Sequence, residues 1–479
     1  MDELAYASAL EIADLIRSGQ VSSREAVDAT VARIDRLDGP TNLVVTVDAE
    51  AARAAADAAD AAQAAGYDLG PLHGVPITIK DSFETAGLRT TSGAPELATH
   101  VPERDADPVA RLRDAGAVIV GKTNLPLYAG DFQSYNDVFG TSANPWDTTR
   151  TVGGSSGGSA GALAAGFTPL ELGSDIAGSI RHPSHTCGVV GHKPSYGIVS
   201  ARGQIPGPPG TLTQADLAVA GPMARTVDDC EVALELLAGS DSWHDIAWSL
   251  ELPPPRTTSP QELRVAVWFD EEASPLAAEV RGLLGSAADA LADAGARVDD
   301  TPRPAFDFAT GVETFHRLLS AALAGSWSHA EIEEMAGREA EGGLGVTHAA
   351  MRHRGWLSAN EKRLQHRARW AELFETWDVV LLPVSPVPAI EHDDSVPFSA
   401  RTIDVDGVDR PYMAQGDWLG LTGVSYLPAT VVPIGRTAEG LPVGIQISGP
   451  FLEDRTTLAV ARMLEDLLGG FTPPPDYRS

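Results

Sequence analysis

The chain has 479 residues, and its 66 acidic against 35 basic side chains give a formal net charge of −31. This acidity argues against nucleic acid or an anionic membrane surface as the main partner, because both are bound through basic patches. Two cysteines, Cys187 and Cys230, form no disulfide framework and suit a reducing compartment. The chain shows no signal-peptide pattern and no long uncharged apolar run, which predicts a cytoplasmic protein without a membrane span.

The first 70 residues are predicted to be helical. Ser8 with Glu11, and Ser22 with Glu25, have the spacing of a capping box, in which serine and glutamate side chains satisfy backbone N–H groups at a helix start. The alanine-rich stretch 48–65, followed by a glycine, predicts a third helix.

Strands and helices then alternate for most of the chain. Apolar runs predict strands at 75–79, 117–120, 168–172, 263–269 and 379–382. Helical periodicity predicts helices at 109–115, 280–294 and 456–468, and the runs 431–434 and 443–447 predict a late hairpin. Residues 305–375 are expected to be mostly helical, as a layer or lid. This alternation is typical of an α/β fold with a largely parallel or mixed sheet.

Lysine is rare in this chain, since only Lys80, Lys122, Lys193 and Lys362 occur among the 35 basic residues. A buried lysine can lose its proton and an arginine in effect cannot, so a retained lysine suggests a role that arginine could not fill. Lys80 ends the apolar run GVPITIK, which should desolvate its ammonium and lower its pKa. On local sequence alone, a lysine paired with Asp81 at a strand end is an equal alternative.

Two glycine-rich segments that contain serine lie downstream of Lys80, at 153–159 (GGSSGGS) and 173–181 (GSDIAGSIR). Small residues let the backbone approach a substrate closely, and consecutive N–H groups in a tight turn can stabilise an oxyanion. A neutral lysine and exposed serines supply a base and a nucleophile for acyl transfer without histidine.

These segments resemble the amidase signature family. The central block is followed by CGVVGHKPS at 187–195, and further family segments are matched in order along the chain: LHGVP at 72–76, GKTN at 121–124, FGTSANPW at 139–146, LPA at 427–429 and LPVGIQ at 441–446. The resemblance covers residues 72–446 and implies one amidase signature domain over 1–479.

The resemblance implies an α/β fold in a single large domain, with a central mixed, mostly parallel twisted sheet covered by helices on both faces. Within it we expect four parts: N-terminal helices over 1–70, a catalytic core over 71–250, a helical layer or lid over the substrate entrance at 305–375, and strands and a helix over 376–479 that complete the core.

Carried over residue by residue, the resemblance implies a Ser-cisSer-Lys triad. Ser179 would be the nucleophile, Ser155 the bridging serine preceded by a cis peptide bond, and Lys80 the base. Protons would pass from Ser179 through Ser155 to Lys80 as the acyl-enzyme forms.

The same resemblance implies an oxyanion hole made by consecutive backbone N–H groups, those of Ile176, Ala177, Gly178 and Ser179. Family members commonly have glycine where this chain has Ala177, although the N–H is retained. Asp175 and Arg181 are expected to brace the turn through charge-assisted hydrogen bonds.

The implied function is a serine hydrolase that cleaves the C–N bond of an aryl or alkyl carboxamide, with carbamates (urethanes) and esters as related substrates. No cofactor or metal is expected, the partner is a small-molecule amide or carbamate, and the protein is expected as a monomer or homodimer. The main alternative within the family is the glutamine-hydrolysing A subunit of a tRNA-dependent amidotransferase, which the sequence does not exclude. Substrate-binding candidates, each of which could equally be packing residues, are Tyr128, Gly130, Asp131, Gln133 and His182.

Three other interpretations explain less of the sequence. A G-x-S-x-G elbow with Ser156 as nucleophile would need a later histidine such as His392, and leaves Lys80 and Ser179 unexplained. A phosphate-binding module lacks both common glycine-rich fingerprints. A zinc site could be formed by four residues of suitable types, but their spacing is unlike that of a common zinc finger. They are His182, His185, Cys187 and His192. For His185 and His192 we favour local variation instead.

Overall fold

The computed structural model describes residues 4–67, 69–241, 243–326, 328–340, 350–395 and 400–478. Its helices are α1 (Ala9–Arg17), α2 (Ser23–Leu37), α3 (Ala49–Ala64), α4 (Asp107–Asp114), α5 (Gly157–Ala164), α6 (Arg181–Cys187), α7 (Val227–Leu237), α8 (Ala278–Asp293), α9 (Phe308–Leu323), α10 (His329–Ala340), α11 (His353–Phe374), α12 (Asp417–Val424) and α13 (Asp454–Leu468).

The strands follow the same order. They are β1 (Val44–Val47), β2 (Pro76–Lys80), β3 (Val118–Thr123), β4 (Tyr135–Asn136), β5 (Gly140–Thr141), β6 (Ala143–Asn144), β7 (Asp147–Thr151), β8 (Leu170–Asp175), β9 (Val190–Lys193), β10 (Val219–Ala224), β11 (Arg264–Val267), β12 (Arg297–Asp299), β13 (Val379–Pro383), β14 (Thr402–Val405), β15 (Val408–Pro411), β16 (Ala429–Arg436) and β17 (Pro442–Ser448).

Both predicted capping boxes are confirmed. The Ser8 hydroxyl accepts a hydrogen bond from the Glu11 N–H, and the Glu11 carboxylate accepts one from the Ser8 N–H, at the start of α1. Ser22 and Glu25 repeat the arrangement at the start of α2. These local hydrogen bonds satisfy N–H groups that a helix start leaves without partners. The starts of α1 and α2 could therefore be predicted from the sequence alone.

Eleven of the described strands form one mixed sheet in the order β1-β3-β2-β8-β10-β9-β16-β17-β13-β11-β12. The α/β class and the mixed sheet are therefore confirmed. The pairings of β2 with β3 and β8, and of β11 with β12 and β13, are parallel, whereas the other six are antiparallel. The expectation that most strand pairs are parallel is wrong. One reason is that the connection 437–441 is too short for a parallel crossover, so β16 and β17 pair as an antiparallel hairpin.

Helices cover both faces of the sheet, as the alternation along β3 shows. Val118 and Val120 belong to the hydrophobic cluster that contains the alanines of α5, while Ile119 belongs to the cluster that contains α7 and α13. Successive side chains of a strand point to opposite faces, so the two clusters lie on opposite sides of the sheet.

The predicted helical region 305–375 contains α9, α10 and α11, although residues 327 and 341–349 lie outside the described residues. α9 packs on α11 and on α12, the short helix that precedes β16. Across the described helices, none is both long and apolar enough to cross a membrane.

Candidate active site

The Lys80 side chain is completely buried at the end of β2 and faces a group of hydroxyls. Its Nζ donates hydrogen bonds to the Oγ atoms of Ser155 (2.7 Å), Ser156 (2.9 Å) and Ser174 (2.9 Å). Burial lowers the pKa of Lys80 to about 7, although the nearby charge of Asp175 acts in the opposite direction. A substantial fraction of Lys80 is therefore neutral near pH 7.

Asp81 does not turn toward Lys80, as the alternative interpretation required. Its Oδ2 accepts hydrogen bonds from the N–H (3.0 Å) and the hydroxyl (2.5 Å) of Thr91. Burial raises the pKa of Asp81, and the positive charge that opposes this rise is chiefly that of Lys122.

The peptide bond between Gly154 and Ser155 is cis. Gly154 lies directly against the backbone of residues 131–133, since a Cβ placed on it would stand 2.5 Å from the Asp131 carbonyl oxygen and 2.7 Å from the Gln133 nitrogen. Only glycine fits at this point. The backbone of 131–133 is thus one wall of the cradle that holds Ser155.

Polar contacts with the C-terminal region fix this wall. Gln133 forms two hydrogen bonds with the backbone of Asp393, one from its Nε2 to the carbonyl (2.6 Å) and one from the Asp393 N–H to its Oε1 (2.9 Å). The Asp131 carboxylate accepts hydrogen bonds from Arg401 (2.8 Å) and from the Tyr412 hydroxyl (2.6 Å). The side chains of both predicted substrate-binding residues therefore serve contacts within the protein.

The turn after β8 is organised by Asp175. Its carboxylate accepts hydrogen bonds from the Gly178 N–H (2.8 Å), from the Ile180 N–H (3.2 Å), and from two nitrogens of Arg181 at 2.9 Å each. Burial alone would raise the pKa of Asp175, but the charge and hydrogen bonds of Arg181 outweigh it and hold this pKa at about 2. The carboxylate is therefore ionised throughout the neutral range. Gly178 has φ +122°, a conformation that favours glycine.

Arg181 ties this turn to the C-terminal strands and helices. Its Nη1 donates to the Leu419 carbonyl (2.9 Å), the Thr422 hydroxyl (2.9 Å) and Gln446 Oε1 (2.7 Å). Asp175 and Arg181 thus link the turn after β8 to residues 419–446.

Ser155 and Ser179 both line a cavity of about 380 Å³. Ser174, Asp175 and Ile176 also line it, and Ser179 is 6% exposed. The remaining lining residues are Tyr128 and Ala129, several residues of the loop 201–218, and Ala322, Leu323 and Gly325 at the end of α9 and just after it. Of the predicted substrate-binding residues in the described chain, Tyr128 lines this cavity, whereas Gly130, Asp131, Gln133 and His182 do not.

The central histidines are held by protein groups. Burial lowers the pKa of His182 to about 3, and its Nε2 lies 3.2 Å from Gln415 Oε1. His185 accepts a hydrogen bond from the Gly444 N–H at Nδ1 (3.0 Å), and its Nε2 lies 3.0 Å from the Val387 carbonyl. Each is the environment of a neutral histidine packed inside the protein.

His192 lies between Thr430 Oγ1 (2.9 Å) and Asp454 Oδ1 (3.1 Å). Throughout the described ranges, no three His, Cys, Asp or Glu side chains are grouped so that they could hold a metal ion. The zinc interpretation gains no support from this arrangement.

Ser156, the nucleophile of the alternative elbow, is completely buried. Its hydroxyl donates to the Ser174 carbonyl (3.2 Å) and accepts from Lys80, while His392 lies exposed elsewhere. The sequence did not assign Ser156 or Ser174 to Lys80. Only the register of β2 on β8, in which Ile79 pairs with Leu172, brings Ser174 beside Lys80, and no local pattern signals that register.

Comparison with known proteins shows that the chain is similar to amidase family members along nearly its whole length. The Amidase family model matches residues 25–458. The A subunit of the glutamyl-tRNA(Gln) amidotransferase from Alkaliphilus metalliredigens is 31% identical over 97% of this chain and 97% of its own length. Its counterpart of the same name from Acidothermus cellulolyticus is 34% identical over 97% of this chain and 95% of its own.

Solved structures are similar over the whole chain as well. A crystal structure described as an amidase has a TM-score of 0.78 at 30% identity and covers 97% of this chain and 100% of its own. A 6-aminohexanoate cyclic dimer hydrolase complexed with substrate has a TM-score of 0.80 at 25% identity, over 98% of this chain and 99% of its own.

Proposed function

We propose that this chain, which belongs to the amidase family, is a serine hydrolase that cleaves the C–N bond of a neutral carboxamide with Ser179, Ser155 and Lys80. One observation carries the proposal. Burial lowers the pKa of Lys80 to about 7, its Nζ lies 2.7 Å from the Ser155 Oγ, and Ser155 lines the same cavity as Ser179. The proposed relay hydroxyl and nucleophile thus line one cavity, and the proposed base is within hydrogen-bond distance of the relay hydroxyl.

The proposed reaction begins when neutral Lys80 takes the proton of Ser155, while Ser155 takes that of Ser179. The freed Ser179 oxygen attacks the carbonyl carbon, and the tetrahedral intermediate collapses as the C–N bond breaks. The relay runs in reverse and delivers the proton to the leaving amine. Water, activated by the same relay, then hydrolyses the ester bond to Ser179 and releases the carboxylate.

We propose that the backbone N–H groups of Ile176, Ala177 and Ser179 donate hydrogen bonds to the oxyanion of the tetrahedral intermediate. The Gly178 N–H already donates to Asp175, so its part is to shape the turn. Fixed N–H donors aimed at the developing charge are effective because they need no reorganisation during the reaction. The ion pair of Asp175 with Arg181 supplies that rigidity.

The walls of the cavity favour a substrate without formal charge. Among the described lining residues there is no lysine or arginine, and the one carboxylate, Asp175, is paired with Arg181. The other polar groups are neutral, chiefly hydroxyls and the Gln204 amide. An aryl or alkyl amide fits these walls, and a carbamate or ester presents the same carbonyl and a leaving group. Since Ala322 and Leu323 lie in the wall, we also propose residues 305–375 as a lid over the entrance.

A second candidate function is supported by the relatives. Two glutamyl-tRNA(Gln) amidotransferase A subunits are 31% and 34% identical to this chain over nearly the whole length. In that role the chain would hydrolyse glutamine and act with partner subunits. Glutamine has an α-ammonium and an α-carboxylate, however, and the described cavity walls offer neither group an unpaired opposite charge.

The decisive experiment compares kcat/KM for p-nitroanilides, primary amides, carbamates and glutamine with the purified chain. We expect neutral amides to be preferred over glutamine, and Ser179→Ala to abolish the turnover of all of them. Preference for glutamine, or glutamine turnover that appears only when partner subunits of an amidotransferase are added, would favour the second candidate.

A further inference from the structure

A second cavity, of about 260 Å³, shares no described lining residue with the catalytic one. It lies beside the hairpin β14–β15 and the start of α12. Much of its wall is apolar, with contributions from Pro275, Pro386, Val405 and Met413. Four polar side chains also line it and give it a distinct chemistry: Ser274, His316, Arg410 and Asp417.

Arg410 brings a positive charge into this cavity that the protein leaves unpaired. Its Nε is buried without a hydrogen-bond partner, and within the described ranges no carboxylate forms an ion pair with it. The chain has 66 acidic and only 35 basic residues, so an unpaired and partly buried arginine stands out. Arg401, just before the same hairpin, shows the usual pattern, because it is paired with Asp131 at 2.8 Å.

Ser274 supplies an independent observation. The residue is only 2% exposed, and its hydroxyl has no hydrogen-bond partner among the described residues. A buried hydroxyl without a partner is unfavourable, and each such group calls for an explanation. A ligand acceptor in this cavity would provide the missing partner.

The one carboxylate among the described lining residues, that of Asp417, lies near a histidine. Asp417 Oδ1 lies 3.5 Å from His316 Nε2 on α9, and in the described part of the chain Asp417 forms no ion pair with Arg410, so the Arg410 guanidinium is available to an anion. A guanidinium favours carboxylates because its N–H groups match both oxygens.

We propose that this cavity binds a small carboxylate with a short apolar body. The carboxylate would accept hydrogen bonds from Arg410 and the Ser274 hydroxyl, and the body would contact Pro275, Pro386 and Met413. The site shares no described lining residue with the cavity that Ser155 and Ser179 line.

Benzoate is a suitable probe, and benzyl alcohol is its uncharged analogue. Isothermal titration of the full chain at fixed ionic strength should show saturable binding of benzoate and much weaker binding of benzyl alcohol. Arg410→Gln should weaken benzoate binding about tenfold or more, as expected for the loss of a charged hydrogen bond. Arg104→Gln, which changes an exposed arginine outside both cavities, should leave it unchanged.

Ser274→Ala provides a second variant that does not depend on Arg410. It should weaken benzoate binding severalfold while the melting temperature stays at least as high, because the hydroxyl has no partner to lose. The proposal is wrong if benzoate binding survives Arg410→Gln and Ser274→Ala unchanged, which would show that benzoate binds outside this cavity. It is equally wrong if benzyl alcohol binds as well as benzoate, or if no saturable binding of benzoate occurs up to about 10 mM.

Discussion

Arg181 donates two hydrogen bonds of 2.9 Å to the carboxylate of Asp175, and neither side chain has any contact with solvent. A buried ion pair contributes little net stability when it is compared with apolar packing, but the loss of one partner leaves an uncompensated charge. The pair therefore acts as a constraint on the turn that contains Ser179. Its removal should affect stability and catalysis together.

Asp175→Asn keeps the shape of the side chain and removes its charge. We expect the free energy of unfolding to fall by about 3–5 kcal/mol, since Arg181 is left buried without its counter-charge. Urea denaturation measures the change, and Asp35→Asn on the exposed face of α2 is the matched control. A loss no greater than that of the control would contradict the proposed role.

Lys80→Ala should lower kcat/KM by about 10³-fold or more, because the general base of the relay is lost. Lys80→Arg should be similarly inactive, since arginine in effect stays protonated. Lys362→Ala, which changes the exposed lysine of α11, is the control and should retain full activity. Substantial turnover by Lys80→Ala at neutral pH would show that another group is the base.

The pH dependence of kcat/KM should follow the protonation of Lys80, whose pKa burial lowers to about 7. Below that pH the amine is an ammonium that cannot accept a proton, so activity should rise as the pH increases through 7. Asp175, with a pKa of about 2, stays ionised and contributes no change in this range. A rate that is flat from about pH 6 to 8 would argue against Lys80 as the titrating base.

Gly154→Ala should disturb the active site by a steric effect alone. The added methyl group would lie 2.5 Å from the Asp131 carbonyl oxygen and 2.7 Å from the Gln133 nitrogen, so the wall or the Ser155 backbone must move. We expect both kcat and the melting temperature to fall. Gly282→Ala in α8 is the same substitution with nothing within 4 Å, and should leave kcat unchanged and raise stability by about 0.5–1 kcal/mol.

Patterns that act over a few residues could be predicted from the sequence. The capping boxes at Ser8 and Ser22, the hairpin β16–β17 and the closing helix α13 all depend on neighbours in the chain. The pairing of Ser174 with Lys80 depends instead on strand register, and the antiparallel majority of the sheet depends on where β10 and β16 insert. Neither leaves a local pattern in the sequence.

The contacts of the Asp131 and Gln133 side chains could not be predicted from the local sequence either. Their position after the GKTN segment suggested substrate contacts, and their side chains form hydrogen bonds with Arg401, Tyr412 and Asp393, which lie far along the chain. Such long-range partners are set by the tertiary fold, which the residues around 131–133 do not specify.

The scarcity of lysine has a practical consequence for chemical labelling. Lys80, Lys122 and Lys193 are at most 2% exposed, whereas Lys362 is exposed on α11. Among the lysines, acylating reagents such as N-hydroxysuccinimide esters should therefore modify Lys362 of the folded protein, and mass spectrometry would locate the adduct. A dye or a solid support could be attached at that single lysine without modifying Lys80.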